Sequence, residues 1–222
     1  MSSQHKLTNK QPDRGQKREL GKLLILSGLL FGSLSIAILL KQPKPSLPRQ
    51  ATGPTPEILK PSQDAIEQYA VAPDLPKFLS IPAIQVDKVR VFRLGLEKNY
   101  TIAAPTNIFD AGWYEGSSKP GQAGAQFVYG HVSNLDAHGV FYDLYKLKPG
   151  DTIRITRGDD VVFTYSVVST QRYPASDVPM DKVLSPIKAG RQGLNLMTCA
   201  GHVEATGGFS ERLVVYASLT KN

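Results

Sequence analysis

The sequence predicts an all-β domain, a barrel or a sandwich, standing behind one membrane-spanning helix and a proline-rich spacer. Three observations carry this reading. Residues 23–40 run without a single charge. Prolines crowd the stretch from Pro43 to Pro76. From Lys77 onward, short apolar runs rich in β-branched and aromatic residues alternate with Gly, Pro and Asp, and no long helical period appears.

Residues 1–22 form a basic tail, with Lys6, Lys10, Arg14, Lys17, Arg18 and Lys22 against only Asp13 and Glu19. The span that follows, LLILSGLLFGSLSIAILL at 23–40, sits at the lower end of the roughly 17–25 residues that cross a bilayer as a helix. It exceeds the roughly 7–15 apolar residues of a secretory leader, and no A-x-A cleavage signal follows it. A retained signal anchor is therefore expected, since a buried core helix would not carry polar, basic flanks on both sides. The larger basic cluster keeps the N-terminus cytoplasmic and places the rest of the chain outside.

Residues 41–75 read as a semi-rigid extended spacer, with a short helix around 62–69 (SQDAIEQY) capped by Ser62. The net charge of +7 is largely an N-terminal property, +4 on residues 1–75 against +3 on residues 76–222. So weak a positive balance on the folded part gives no reason to expect nucleic acid as a partner.

Residues 76–222 are long enough to bury a core without disulfides. Seven segments read as strands: FLSIPAI, VRVFRLGL, AQFVYGH, DTIRITR, VVFTYSVVST, LNLMTC and RLVVYASL. Gly158-Asp159-Asp160 between the fourth and fifth marks a hairpin, whereas VFYDLYKL reads as a short helix or irregular segment.

The chain holds one cysteine, Cys199, so an internal disulfide is impossible. In an exported protein a spare thiol is an oxidation liability. Cys199 is therefore core filler, an intermolecular crosslink or a reactive thiol. A nucleophilic cysteine needs a base or cation beside it and a group that holds the developing oxyanion. Of the four histidines, His5 lies in the cytoplasmic tail and His138, in the polar loop NLDAHG, reads as solvated surface. His131 leaves the strand AQFVYG, where a side chain is held rigidly beside a cleft. His202 lies only three residues past Cys199 but on a glycine-flanked loop. If the strands around Cys199 and Arg212 pair antiparallel with residues 200–211 as their connecting loop, the two residues become neighbours. Arg212 then offers a planar fork of donors; without that neighbour it would be an ordinary surface ion pair.

The segments WYEGSSKPGQAGAQFVYGHVSN, GVFYDLYKLKPGDTIRI, LNLMTCAGH and ERLVVYASL resemble the sortase family of cysteine transpeptidases, over roughly residues 76–219. The likeness is greatest to the class called F, with class E the nearest alternative. The family's TLxTC pattern appears with Asn195 in place of the first threonine. This resemblance implies a closed eight-stranded sortase-type β-barrel with short helices. His131, Cys199 and Arg212 fall on the family's catalytic positions, Thr198 precedes the nucleophile, and the Ala200 N–H is a candidate oxyanion donor.

The implied reaction is attack of Cys199 on the threonine carbonyl of an LPxTG-like C-terminal sorting signal of a secreted protein. His131 protonates the leaving glycine, Arg212 holds the oxyanion, and an amine from a peptidoglycan precursor or pilin-type protein resolves the thioacyl enzyme. The resemblance also implies that residues 171–190 help to bind the Leu-Pro of the signal. Val178, Met180, Val183, Leu184 and Ile187 are the apolar candidates there, with capping of the barrel as their alternative role. The expected location is the cell membrane of a Gram-positive-type envelope.

No cofactor is expected, and no metal: His202-x-Glu204 is a loose pair, and one cysteine excludes the structural zinc patterns. With an ordinary thiol near 8.5 and imidazole near 6.5, only about 1% of molecules at pH 7.5 would carry thiolate and imidazolium together. Two competing readings remain. An L,D-transpeptidase expects His and Gly just before the cysteine and Arg just after, where this chain has LNLMT and AGHVEAT. A non-enzymatic envelope scaffold would have no use for His131, Cys199 and Arg212 together.

Overall fold

The computed structural model describes residues 59–221 except Leu135, Glu204 and Thr206. The basic tail, the expected span at 23–40 and most of the spacer lie outside them. The first described element is a short helix, α1 (Gln63–Glu67), and Ser62 caps it as the sequence predicts, its hydroxyl accepting from the Ala65 N–H at 3.2 Å. Just beyond, the Tyr69 hydroxyl donates to the Val91 carbonyl at 2.6 Å, and its ring lies 5.0 Å from that of Phe92. The last part of the spacer is thus docked on the domain.

Eight strands close into a barrel: β1 (Pro76–Ile81), β2 (Val86–Leu94), β3 (Ala111–Tyr114), β4 (Ala125–Gly130), β5 (Thr152–Arg157), β6 (Val162–Pro174), β7 (Gly193–Val203) and β8 (Phe209–Lys221). Their order around the barrel is β1-β2-β3-β4-β7-β8-β6-β5, and β5 pairs back onto β1. Two neighbouring pairs, β2–β3 and β4–β7, are parallel, so each needs a crossing connection in place of a tight turn. The expected hairpin joins β5 to β6, with the Arg157 N–H donating to Val161 O at 2.9 Å and Asp160 in the left-handed region at φ 65°. VFYDLYKL holds a single 3-10 turn, Leu144–Lys146.

The strand missing from the seven read in the sequence is β3. Its four residues, AGWY, are too short to show a period, and Gly112 weakens the pattern further. That glycine is required sterically: a Cβ there would lie 2.3 Å from a Leu94 methyl group.

The barrel interior is filled by side chains such as Leu79, Ile81, Ile153, Ile155, Leu194 and Leu196, all fully buried. Each contributes roughly 1.5–3 kcal/mol by leaving water. A second, smaller cluster lies on the outer face of the sheet, where Phe127, Val214 and Tyr216 pack with Val183 of a short helix, α2 (Met180–Val183). Strand alternation sorts the side chains between the two clusters. Val128, Leu196 and Val215 point inward, while Tyr129, Met197 and Val214 point outward.

Candidate active site

Three adjacent strands bring the candidate residues together. β4 and β7 run parallel with Phe127 opposite Asn195 and Tyr129 opposite Met197. Continuing by two residues carries the exit of β4, at His131, toward Cys199. β7 and β8 run antiparallel with Met197 opposite Val214 and Cys199 opposite Arg212. Because residues two apart share a face, His131, Cys199 and Arg212 line up on the outward face, across three strands.

The pairing of Cys199 with Arg212 follows the sequence expectation, but the predicted connecting loop at 200–211 does not. β7 runs on to Val203 and β8 starts at Phe209, leaving only residues 204–208 between them. The ladder survives past the nucleophile because Gly201, at φ 81°, takes up an irregularity between Ala200 and Val203. Cys199 is therefore a mid-strand residue.

Thr198, facing inward and 2% exposed, donates its hydroxyl to the Gly130 carbonyl at 2.8 Å. It ties the residue before Cys199 to the residue before His131. The backbone of His131 is fixed from the other side, its carbonyl accepting the Phe141 N–H at 2.9 Å. Gly139 passes so close that a Cβ would lie 2.4 Å from the His131 oxygen.

The side chains are partly buried and already engaged. His131 Nε2 lies 2.7 Å from the Pro105 carbonyl. A carbonyl only accepts, so this bond puts a proton on Nε2 and leaves Nδ1 as the nitrogen that can take up and return one. The Cys199 sulfur lies 3.2 Å from the Tyr129 hydroxyl. Arg212 Nη1 donates to the carbonyls of Glu211 at 2.9 Å and Phe209 at 3.2 Å. Among the described residues its Nε and Nη2 make no hydrogen bond. No hydrogen bond joins His131 to Cys199 among them either. Ala200 lies half-buried beside the nucleophile. The other two described histidines are exposed and turned to other partners: His138 stacks on Tyr142 at 3.4 Å, and His202 Nδ1 meets the Ser210 hydroxyl at 3.1 Å.

Two cavities meet at this row. An apolar groove of about 620 Å³ has Tyr114, Tyr129 and Met197 among its lining and reaches Arg212. One wall comes from the expected segment, through Val178, Met180 and Leu184. Val183 does not contribute: it is fully buried in the outer core cluster, because the single turn of α2 points it at the sheet. Ile187 packs against that same cluster, away from the groove lining. The facing wall, Leu96, Tyr100 and Ile102, belongs to the β2–β3 crossover and went unread in the sequence. Leu96 is 49% and Tyr100 85% exposed, so this wall presents an apolar rim to solvent. On the other side of Cys199 lies a cavity of about 270 Å³, lined by Phe141, Tyr142, Tyr145, Phe209 and Arg172 among others.

Asn195 explains the departure from the TLxTC pattern. It is fully buried on the outer face, and its Nδ2 donates to the carbonyls of Val183 at 2.7 Å and Ser185 at 2.9 Å. One amide thus fastens the C-terminal end of the α2 turn and the residues just after it to β7, behind the Met180–Leu184 wall. A threonine is shorter and has one proton to give. Asn195→Thr should therefore lower stability by about 1–3 kcal/mol, read as an earlier thermal melt. It should also quicken proteolysis within residues 175–190, and an unchanged melt would contradict the clamp.

A protein-family model described as Sortase domain matches residues 79–220. Comparison with curated protein sequences found no match. Among solved structures, a lid mutant of sortase A from Corynebacterium diphtheriae superposes with a TM-score of 0.51 at 22% identity, over 67% of this chain and 71% of that one. Sortase C from Streptococcus pneumoniae gives 0.50 at 23% identity, over 75% and 76%. Sortase C1 from Streptococcus agalactiae gives 0.50 at 23%, over 72% and 78%. At these identities the structural matches establish the shared barrel.

Proposed function

Because the chain belongs to the sortase family of cysteine transpeptidases, we propose that it cleaves an LPxTG-like sorting signal between Thr and Gly and passes the acyl part to an amine. The observation that carries this reading is the position of Cys199. It stands between an apolar groove reaching Arg212 and a second cavity on its far side.

The groove suits an extended, apolar Leu-Pro stretch laid against Val178, Met180, Leu184 and Leu96. The threonine carbonyl then reaches the Cys199 sulfur. An S–C bond forms, the carbonyl electron pair moves onto oxygen, and the Nε and Nη2 donors of Arg212 are free to hold that charge. The C–N bond to glycine breaks as Nδ1 of His131 delivers a proton to the departing amine. The entering amine follows the reverse path through the second cavity, returning a proton to His131 as it takes the acyl group. Water taking its place would give hydrolysis.

Residues 23–40 anchor the chain in the cell membrane in this reading, with the N-terminus inside and the barrel outside. The acceptor amine belongs to a cell-wall precursor or to a pilin-type protein, the latter supported by the pilin specificity that the pneumococcal relative is described with. The finer assignment to class F, with class E nearest, rests on the motif texture alone. The test is whether an LPxTG peptide leaves a thioacyl adduct on Cys199 that an added amine then removes.

A further inference from the structure

The hydrogen bonds around Cys199 raise a question that transpeptidation alone does not answer, namely which group makes the sulfur a nucleophile. Resting on the acyl-transfer reading above, we propose that the hydroxyl of Tyr129, with the charge of Arg212 beside it, holds the Cys199 thiolate, and that His131 serves only in proton transfer to and from the amine. The nucleophile is then activated by a neutral phenol and a guanidinium and not by an imidazolium partner.

The geometry separates the two roles. Tyr129 and His131 leave the same strand edge two residues apart, with ring centres 6.3 Å apart. Only the tyrosine reaches the sulfur, at 3.2 Å. The imidazole is tied instead to the Pro105 carbonyl at 2.7 Å. Arg212 is the cross-strand partner of Cys199 and shares the groove lining with Tyr129. These three come from β4, the exit of β4 and β8, and across the second cavity Tyr142, Tyr145 and Arg172 line the same space as Cys199. Of these, Arg172 is paired with Glu211 at 2.9 Å.

Tyr129 is suited to donate. Burial pushes its phenol well above the ordinary value, the negative charge of the neighbouring thiolate pushes it further, and Arg212 pulls back. The phenol therefore keeps its proton throughout the working range and offers it to the sulfur without losing it. The proton that Cys199 gives up goes to solvent, and solvent supplies the proton that Nδ1 of His131 takes up before passing it to the departing amine. When the sulfur attacks, its charge moves to the substrate oxygen, and the bond from Tyr129 slackens at the moment that Arg212 takes up the oxyanion.

Neither Tyr129 nor its spacing stood out in the sequence, although period-two alternation puts it on the face of His131.

The single cysteine makes the test direct. The full chain, kept in detergent, is alkylated with iodoacetamide across pH 5–10, with no peptide present. Tyr129→Phe should slow alkylation at pH 6 by about tenfold or more, the effect of removing one hydrogen bond to a charged group. The difference should close toward pH 10, above the ordinary range of a cysteine thiol. His131→Gln should leave the whole profile within about twofold of wild type. A fluorotyrosine at position 129, a stronger donor of the same shape, should quicken alkylation at pH 6, which guards against a phenylalanine variant that merely folds badly. Unchanged rates for both Tyr129 variants would overturn the proposal, as would a loss in His131→Gln equal to that in Tyr129→Phe. Because no peptide enters the assay, these outcomes are independent of whether LPxTG is the substrate. A wild type that alkylates as expected yet cleaves no peptide would sink the substrate assignment alone.

Discussion

His131→Gln should lower kcat on an LPxTG peptide roughly 10²–10⁴-fold, the range removed with a positioned general acid. The leaving group is a peptide amine, among the poorest in acyl transfer, and it cannot depart without a proton. His131 is the histidine whose backbone is held beside β7, by Thr198 on one side and by Phe141 and Gly139 on the other. Glutamine keeps a donor for the Pro105 carbonyl but has no site that can shuttle a proton. The deficit should shrink when the scissile amide is replaced by an activated ester, whose leaving group needs no acid. An equal loss on amide and ester would show that the substitution damages the site in general and would contradict the acid role.

Arg212→Lys should lower kcat/KM on the same peptide about 10²-fold, as expected when a preorganised oxyanion donor is withdrawn. Lysine keeps the charge, so a role confined to electrostatic attraction predicts little change. The fork is another matter. One arm of the guanidinium is bound to the Glu211 and Phe209 carbonyls, which fixes the plane of the group and leaves Nε and Nη2 for substrate. An ammonium cannot hold the hairpin carbonyls and reach the oxyanion at once. Steady-state turnover measured beside wild type decides this, and unchanged values would remove planar recognition from the account.

Much of this site could be read from the chain because it is built on strands, where spacing is informative. Cys199 and Arg212 pair as the antiparallel reading expects, and His131 emerges from the exit of a strand recognisable by its own composition. The family match over residues 79–220 also separates the chain from the L,D-transpeptidase alternative. What escaped has physical reasons. β3 is four residues long and owes its place to parallel pairing across a crossover, a contact that local sequence does not encode. The hairpin beyond Cys199 extends because one glycine absorbs an irregularity in the ladder. Val183 reads as a groove residue on hydrophobicity alone, and only the turn of α2 decides that it faces the outer cluster while Met180 and Leu184 face the groove. The opposite wall, from Leu96 to Ile102, sits in a segment rich in charged and turn-forming residues (LEKNYTI) whose apolar members meet only in three dimensions.

The central claim is that Cys199 is an acyl-accepting nucleophile, and the mass of the intact protein tests it most directly. The full chain in detergent is incubated with an LPxTG peptide, quenched in acid and weighed by mass spectrometry. Wild type should gain the mass of the peptide segment ending in threonine, localised to Cys199 by digestion and lost on adding an amine. Cys199→Ala should gain nothing. A wild type that stays unmodified across a panel of such peptides, or an adduct that persists in Cys199→Ala, would contradict the account.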